Sequence, residues 1–145
     1  MQCILGANGT IGRELSQLLP QYTNAIRQVG RNPRKVNAND ETVTADLLDA
    51  QAVAKAVQGC DVAYLVAGLK YDTKVWQEQW PKVMRHTIDA CKRHGTKLVF
   101  FDNTYMYPGT TTPQTETTAF QPNGRKGRVR AQLATMLLDA MASGS

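Results

Sequence analysis

The chain has 145 residues, of which 42% are apolar and 20% charged, and this composition is that of one folded domain. No apolar run reaches the ~18 residues of a membrane span, and the segment before the first glycine leaves no room for a signal peptide, so we expect a cytoplasmic protein with no membrane partner. The net charge of +5 suits an anionic ligand, but the basic residues are not interleaved with stacking aromatics, which argues against nucleic acid.

The first part of the sequence alternates short apolar segments with a helical pattern. Residues 3–5 predict a buried strand that stops at Gly6. Residues 25–29 predict a second strand, ended by the turn residues 30–33, and residues 41–44 predict a short third strand. Between the first two strands, a helix closed by Pro20 is predicted from the spacing of Ile11, Leu15, Leu18 and Leu19.

The second part repeats this alternation with longer helices. Asp46 or Asp49 is expected to cap a helix that carries Leu48, Ala52, Val53, Ala56 and Val57. Residues 61–66 and 97–101 predict the fourth and fifth strands, and the long amphipathic helix between them contains Pro81, where we expect a kink or a restart. A loop rich in Thr and Pro follows over 103–123. The last helix is predicted from Val129, Leu133, Met136, Leu137 and Met141.

Strands that alternate with helices predict βαβ units and therefore a parallel sheet, because each helix must pack back on the sheet it leaves. We expect an α/β fold, a doubly wound parallel sheet of the Rossmann type with strand order 3-2-1-4-5. Residues 1–145 then form one domain. The sequence stops after a helix where a sixth strand is expected, so we expect truncation before the later strands and a C-terminal substrate-binding part that is absent here.

The segment 6–12 carries three glycines at the predicted junction of the first strand with the first helix. There the first glycine permits a sharp turn, the second lets the backbone approach a diphosphate, and the third lets the helix pack closely. The helix start adds unpaired N–H groups and a partial positive charge. A tight turn without a ligand is the alternative. We predict that a dinucleotide is bound by Gly6, Asn8, Gly9, Thr10, Ile11 and Gly12, with hydrogen bonds from the Asn8 and Thr10 side chains within the loop.

The end of the second strand indicates which ribose is accepted. An acidic residue there bonds a ribose 2′-hydroxyl, whereas an arginine accommodates a 2′-phosphate. The sequence has no Asp or Glu between Leu15 and Asp40, but it has Arg27, Arg31 and Arg34. Arg31 is best placed directly after the strand, so NADP is favoured over NAD as the cofactor. Solvated loop arginines, with NAD as the cofactor, are the alternative.

These features resemble the short-chain dehydrogenase/reductase superfamily in its extended or atypical branch, the NAD-dependent epimerase/dehydratase family. Besides the glycine loop, the resemblance rests on residues 45–48, 66–68 and 100–107, and it spans nearly the whole chain. It implies a dinucleotide-binding domain in which Asp46, followed by Leu47, contacts the adenine. It also implies that Ala67 and Gly68 pass under the nicotinamide ribose and that Asn103, at the end of the fifth strand, lies at the cofactor.

Catalysis in that superfamily relies on a Tyr-x-x-x-Lys pair on the helix after the fifth-strand loop, where the tyrosine moves a proton and the lysine lowers its pKa. The sequence departs from this pattern. Asn123 and Gly127 stand at the two positions, and no tyrosine follows Tyr107. Lys126 is one residue out of register, which turns a helical side chain by about 100°. The usual catalytic pair is therefore not in place.

Two functions remain open on this evidence. In the first, the protein is an oxidoreductase or epimerase for a sugar-like or carbonyl small molecule, with Tyr105 or Tyr107 supplying the proton and Lys126 or Arg125 holding the ribose. In the second, no redox chemistry remains and the protein binds NADP(H) as a sensor or scaffold. The resemblance also implies a homodimer through the long helix 75–94 and the last helix.

No metal site is predicted, because His86 and His94 lie on one helix without a third ligand at suitable spacing. Cys3, Cys60 and Cys91 have neither the spacing of a zinc site nor the density of a disulfide scaffold. We expect all three to be buried thiols that pack as small apolar side chains.

Overall fold

A computed structural model of the protein describes residues 1–68, 72–101 and 125–142, without the side chains of residues 73, 125, 126 and 142. Strands and helices alternate along it, except that the second and third strands follow one another without a helix between them. The elements are β1 (Gln2–Leu5), α1 (Thr10–Leu18) with a 3-10 turn (Leu19–Gln21), β2 (Ile26–Gly30), β3 (Glu41–Thr44), α2 (Ala50–Val57), β4 (Val62–Leu65), α3 (Thr73–His94), β5 (Lys97–Phe100) and α4 (Arg125–Ala142).

The strands form one parallel sheet with the order β3-β2-β1-β4-β5, which confirms the expected topology. β1 is the central strand, and its residues Cys3, Ile4 and Leu5 are completely buried. Leu5 pairs with Val29 of β2 on one side and with Leu65 of β4 on the other. The carboxyl ends of these three strands therefore lie side by side, at the switch point where the connections leave in opposite directions.

The helix starts and stops differ in detail from the expectations. Asp49, not Asp46, caps α2, because its Oδ1 accepts hydrogen bonds from the N–H groups of Gln51 (3.0 Å) and Ala52 (3.3 Å). Leu18 is 57% exposed, contrary to its predicted place on the buried face. Leu18 is the last residue of α1, and Leu19, which begins the tighter turn, is buried instead. α3 continues through Pro81 without a break.

The chain divides into two compact units, one of residues 1–68 and 86–101 and the other of residues 69–85 and 102–145. In the second unit Trp76 and Trp80 are buried and meet edge to face, with ring centroids 6.3 Å apart. The buried guanidinium of Arg130 lies over both rings, 4.6 Å from the centroid of Trp80 and 5.7 Å from that of Trp76. Such contacts join α4 to the first half of α3. No helix of the described segments is long and apolar enough to cross a membrane.

Arg27 supports the first unit from within the sheet. Its Nη1 donates hydrogen bonds to the carbonyl oxygens of Ala56 (2.6 Å) and Gln58 (2.8 Å) at the end of α2, and its Nε lies 3.4 Å from Glu41 Oε1. A cation at a helix C-terminus satisfies carbonyls that have no partner within the helix. Arg27 is therefore a structural residue, and grouping it with the arginines near the ribose was wrong.

The same guanidinium also reaches the cysteines. All three cysteines are free and buried, as expected. Arg27 Nη1 lies 3.3 Å from the Sγ of Cys60. A hydrogen bond with the Cys3 thiol lowers the pKa of Cys60 to about 7, with Arg27 adding to this effect and burial opposing it. The cysteines of β1 and of the segment before β4 are thus part of a polar contact as well as of the core.

Replacement of the Arg27 side chain tests its structural role. Arg27→Met keeps the length of the side chain but leaves the carbonyls of Ala56 and Gln58 without their donor, so we expect the free energy of unfolding to fall by about 1–3 kcal/mol. Denaturant titration would measure this. Lys55→Met removes the same charge from the exposed surface of α2 and should cost about 0.5 kcal/mol or less. Equal losses in the two variants would contradict the assignment.

Candidate functional site

The loops that follow the strands converge at one edge of the sheet. Because all five strands are parallel, their carboxyl ends lie at the same edge, and the segments after β1, β2, β3 and β4 all begin there. These are the glycine loop 6–9, the loop 31–40, the segment 45–49 and the segment 66–68. In an open α/β sheet this edge, at the switch point, is where ligands bind.

Gly6 occupies a position that no other residue could take. Its φ is +92°, and a Cβ built on it would lie 2.4 Å from the Cα of Ala67 and 2.6 Å from its N. The N–H groups of Gly6 and Ala7 both donate to the carbonyl oxygen of Val29, at 3.0 and 2.9 Å. The chain thus turns sharply between the ends of β2 and β4, which only a residue without a side chain permits.

The other two glycines of the loop have different surroundings. A Cβ on Gly12 would lie 3.2 Å from the carbonyl oxygen of Gly6 and 3.5 Å from a methyl group of Val66, so this glycine lets α1 pack against the strands. Gly9 is exposed, and a Cβ there would meet only the Gly6 oxygen, at 3.7 Å. The fold therefore does not require glycine at position 9. Its bare backbone leaves room for a ligand above the loop.

The amino end of α1 is open to an anion. The first hydrogen bond of the helix runs from Arg13 N–H to the carbonyl oxygen of Gly9 (2.9 Å), so the N–H groups of residues 10–12 precede it. No side chain caps this helix, and its first turn contains no acidic residue. Free N–H groups and the positive end of a helix dipole fit the diphosphate of a dinucleotide. Thr10, like Gly9, is exposed at this end.

Asn8 makes its side-chain hydrogen bonds outside the glycine loop. Its Nδ2 donates to the carbonyl oxygen of Arg34 (3.0 Å), and its Oδ1 accepts from the Arg34 N–H (2.7 Å). The expectation that this amide bonds within the loop was therefore wrong. Asn8 instead connects the glycine loop to the loop after β2. Its φ of +71° is a conformation that Asn adopts more readily than most residues.

A basic cleft lies beside the glycine loop. Its volume is about 480 Å³, and its lining includes Arg13, Arg34 and Lys35 together with Asn8. No carboxylate lines it. A second depression, of about 490 Å³, shares Asn8 and Arg13 with the cleft, reaches the amino end of α1 and is also lined by Glu14. Arg31 follows β2 directly and is exposed, as the sequence pattern predicts. The cleft therefore offers positive charge to a second anionic group next to the diphosphate position.

The segment expected at the adenine is held by α3. The carboxylate of Asp46 is exposed and accepts a hydrogen bond from the Leu48 N–H (3.0 Å). The Nδ1 of His86 lies 3.0 Å from the carbonyl oxygen of Leu47. A carbonyl only accepts, so Nδ1 carries the proton of this contact. This role of His86 could not be predicted from the sequence, because nothing in its spacing connects it to a segment 39 residues away.

The remaining positions are only partly described. Ala67 packs on Gly6, and nothing lies within 4 Å of a Cβ built on Gly68. Asn103, Tyr105 and Tyr107 lie outside the described residues. Lys126 lies in the first turn of α4, and its side chain is likewise outside them. The catalytic assignments therefore stay predictions. Among the described residues, no group of three or more His, Cys, Asp or Glu is arranged to bind a metal ion.

Two glycine variants separate the structural role from the ligand role. Gly6→Ala places a methyl group against the Ala67 backbone and strains a positive φ, so we expect the free energy of unfolding to fall by at least about 2 kcal/mol. Gly9→Ala should cost less, about 1 kcal/mol or below, because Gly9 is the N-cap of α1, where glycine is preferred to alanine. Its methyl group would instead lie where a diphosphate approaches, and NAD(P)H affinity should fall about tenfold or more. Denaturant titration and fluorescence titration measure the two effects. Unchanged NAD(P)H affinity in Gly9→Ala would contradict the assignment.

Comparison with known proteins agrees with this geometry. The NAD(P)H-binding family matches residues 6–122. Uronate dehydrogenase of Pseudomonas syringae pv. tomato is 26% identical over 102 residues, which are 68% of this chain and 37% of that protein. Cinnamoyl-CoA reductase 2 of Arabidopsis thaliana is 29% identical over 122 residues, 73% of this chain and 37% of that protein. The chain thus spans well under half the length of these curated relatives.

A solved structure shows the same fold. It is a variant of uronate dehydrogenase from Agrobacterium tumefaciens complexed with NAD, with a TM-score of 0.82 and 24% identity, and the match covers 95% of this chain and 56% of that one. The family match covers most of the sequence and includes the glycine loop and the segments after β2, β3 and β4. This chain therefore belongs to the NAD(P)H-binding family.

Proposed function

We propose that this chain is the dinucleotide-binding domain of an NADP(H)-dependent oxidoreductase or epimerase that acts on a sugar-like or carbonyl substrate. One observation carries the proposal: the uncapped amino end of α1 lies next to a cleft whose charged lining residues are all cations. This arrangement supports a ligand with two anionic groups, a diphosphate and a further phosphate. NADP has both, whereas NAD has only the first.

The charge pattern after β2 supports NADP over NAD. An acidic residue that could accept a hydrogen bond from a 2′-hydroxyl does not occur in the loop before Asp40, and the Asp40 side chain is buried away from the surface. Arg31 is exposed at the position that follows the strand, and Arg34 and Lys35 line the cleft. Guanidinium groups bond phosphate oxygens in a two-point geometry, which a neutral hydroxyl cannot offer.

Different residues of the chain would bind different parts of the cofactor. The N–H groups at residues 10–12 would hold the diphosphate, and Arg31 would share the 2′-phosphate with Arg34 and Lys35 of the cleft. Asp46 would lie at the adenine, and the backbone of residues 67–68 at the nicotinamide ribose. When bound, the nicotinamide supplies the hydride chemistry. Tyr105 or Tyr107 would exchange a proton with the substrate, with Lys126 holding the ribose.

The substrate class rests on the named relatives. One relative is a uronate dehydrogenase and another a cinnamoyl-CoA reductase, which supports a substrate with a sugar-acid or carbonyl group. We expect the residues that select it to belong to a part of the protein beyond this domain, because the chain spans 37% of each relative. A homodimer through α3 and α4 stays a prediction.

A sensor or scaffold that binds NADP(H) without turnover is the second candidate. It is favoured by the residues at the positions of the usual catalytic pair, Asn123 and Gly127. Gly127 is buried in α4 and has no side chain, so this position offers no charge. Under this hypothesis the bound cofactor would control affinity for a partner rather than react.

Nucleotide titration tests the cofactor assignment. We expect NADP(H) to bind more tightly than NAD(H), and Arg31→Ala to weaken NADP(H) binding about tenfold or more, since a charge-assisted hydrogen bond contributes about 1.5–3 kcal/mol. NAD(H) affinity should stay unchanged. Arg93→Ala removes the same charge near the opposite edge of the sheet and serves as the control. Equal affinity of the wild type for NADP and NAD would refute the assignment.

Turnover decides between enzyme and sensor. The enzyme hypothesis predicts a change in NADPH absorbance with a uronate or a CoA thioester as substrate. It also predicts that Tyr105→Phe or Tyr107→Phe, together with Lys126→Ala, lowers the rate at least about a hundredfold, the usual contribution of a proton-transfer group. Wild-type rates that survive in all three variants would leave these residues without a catalytic role. Tight NADP(H) binding without turnover of either substrate, measured on the whole protein including the part that selects the substrate, would favour the sensor.

A further inference from the structure

The loop between β2 and β3, residues 31–40, carries two of the three cations of the cleft, Arg34 and Lys35, and is attached to the glycine loop through Asn8. The Asn8 amide both donates to and accepts from the backbone of Arg34, at 3.0 and 2.7 Å. A pair of hydrogen bonds to the N–H and C=O of one residue fixes its orientation as well as its position. The backbone that carries the Arg34 side chain is therefore held from the side of the diphosphate position.

A buried carboxylate holds the same loop from the other side. Asp40 is 4% exposed, and its Oδ2 accepts hydrogen bonds from the N–H groups of Val36 (3.0 Å) and Asn37 (2.9 Å). It also accepts one from the side-chain amide of Gln28 in β2 (2.9 Å). Burial by itself raises the pKa of the Asp40 carboxyl, but these hydrogen bonds, led by that of Asn37, outweigh it and lower the pKa below its usual value. Asp40 is therefore charged at neutral pH.

The hydrogen bonds continue from Asp40 into α1. The Gln28 amide also donates to the hydroxyl of Ser16 (2.9 Å), and this hydroxyl donates to the carbonyl oxygen of Gly12 (2.6 Å). The side chain of Asn37 donates to the carbonyl oxygen of Ser16 (2.9 Å). Ser16 and Gln28 are completely buried. A polar network thus runs from the third glycine of the loop, through the interior, to the segment 36–40.

This network positions side chains more than it adds stability. Removing a carboxylate from water costs several kcal/mol, and well-packed apolar residues are often at least as stable as a buried charge. What the network provides is attachment of the loop 31–40 at several points of its backbone. It fixes the backbone on both sides of Lys35, while Arg34 and Lys35 reach the cleft that Arg13 also lines. These like charges repel one another, so a loop without such attachments would move them apart.

We propose that Asn8 and Asp40 are positioning residues for the second phosphate of the nucleotide, which hold the loop 31–40 so that its cations face the cleft before the ligand arrives. The proposal rests on the proposed function, because it takes the 2′-phosphate of NADP as the anion in the cleft. A site that is ordered in advance binds more tightly, since the loop loses less freedom when the ligand binds.

Asn8→Gly is the most direct test. Glycine adopts the φ of +71° without strain, so the variant loses the amide and keeps the backbone of the glycine loop. We expect NADP affinity to fall about tenfold and NAD affinity to change less than about twofold, because the diphosphate contacts at α1 remain. Asn24→Gly, at an exposed asparagine that precedes β2 near the opposite edge of the sheet, is the matched control and should change neither affinity.

Hydrogen exchange in the absence of nucleotide checks the cause. The Arg34 N–H is bonded to Asn8, and the Val36 and Asn37 N–H groups are bonded to Asp40. Asn8→Gly should remove the protection of the Arg34 N–H, while Asp40→Asn should weaken that of Val36 and Asn37 and reduce the preference for NADP. Asp40→Asn replaces one acceptor oxygen of the carboxylate by an NH₂ donor that faces the Asn37 amide. If the buried Asp40→Asn substitution prevents folding, the Asn8→Gly variant still tests the proposal.

The outcomes separate this proposal from the proposed function. If the wild type prefers NADP and Asn8→Gly keeps the whole preference, the positioning role is wrong and the cofactor assignment stands. An equal loss of NADP and NAD affinity would also overturn it, because the amide would then act on the diphosphate or on folding. If the wild type binds both nucleotides equally, the proposed function fails first and the positioning role fails with it. A selective loss of NADP affinity, together with lost protection of the Arg34 N–H, supports the proposal.

Discussion

The close approach of Gly6 to Ala67 is the constraint on which the rest of the site depends. A Cβ on Gly6 would lie 2.4 Å from the Ala67 Cα, so the ends of β1 and β4 can meet only where position 6 has no side chain. The positive φ of Gly6 then turns the chain, and the N–H groups of Gly6 and Ala7 share the carbonyl of Val29. Because the turn is this tight, α1 begins directly above the switch point, with its amino end open.

The arginines close to this turn show how the neighbours of a residue decide its role. Arg27 and Arg31 belong to or follow the same strand, four residues apart in the sequence. The first lies within β2 and donates to the carbonyls at the end of α2, whereas the second is exposed beyond the end of β2. Arg34 is held through its backbone and reaches the cleft with its side chain. The Arg27 guanidinium therefore has a structural role, because it bonds backbone carbonyls. The Arg34 guanidinium is available to a ligand, because the bonds to Asn8 hold only the backbone of this residue.

The positive charges beside the glycine loop repel one another, and hydrogen bonds in the protein interior hold the loop against this repulsion. Arg13, Arg34 and Lys35 line one cleft without a carboxylate among them, and the nearest buried negative charge, on Asp40, is saturated with backbone and amide donors. The Oδ2 of Asp40 accepts from the backbone of Val36 and Asn37 and from Gln28, and not from the cations of the cleft. The cleft therefore remains positive and ready for an anion, while the loop that forms it stays in one conformation.

The sequence by itself determined the strand order, the glycine loop and the exposed position of Arg31. These follow from local patterns: apolar periodicity, three glycines at a strand–helix junction, and a basic residue directly after a strand. Only the tertiary structure decided that Arg27 bonds the end of α2, that the Asn8 amide bonds Arg34, and that His86 contacts Leu47. It alone also joined Ser16, Gln28 and Asp40 in one network. The physical reason is that each of these contacts is made by a side chain whose partner lies 12 to 39 residues away, and no local pattern specifies which distant backbone atom a polar group will meet.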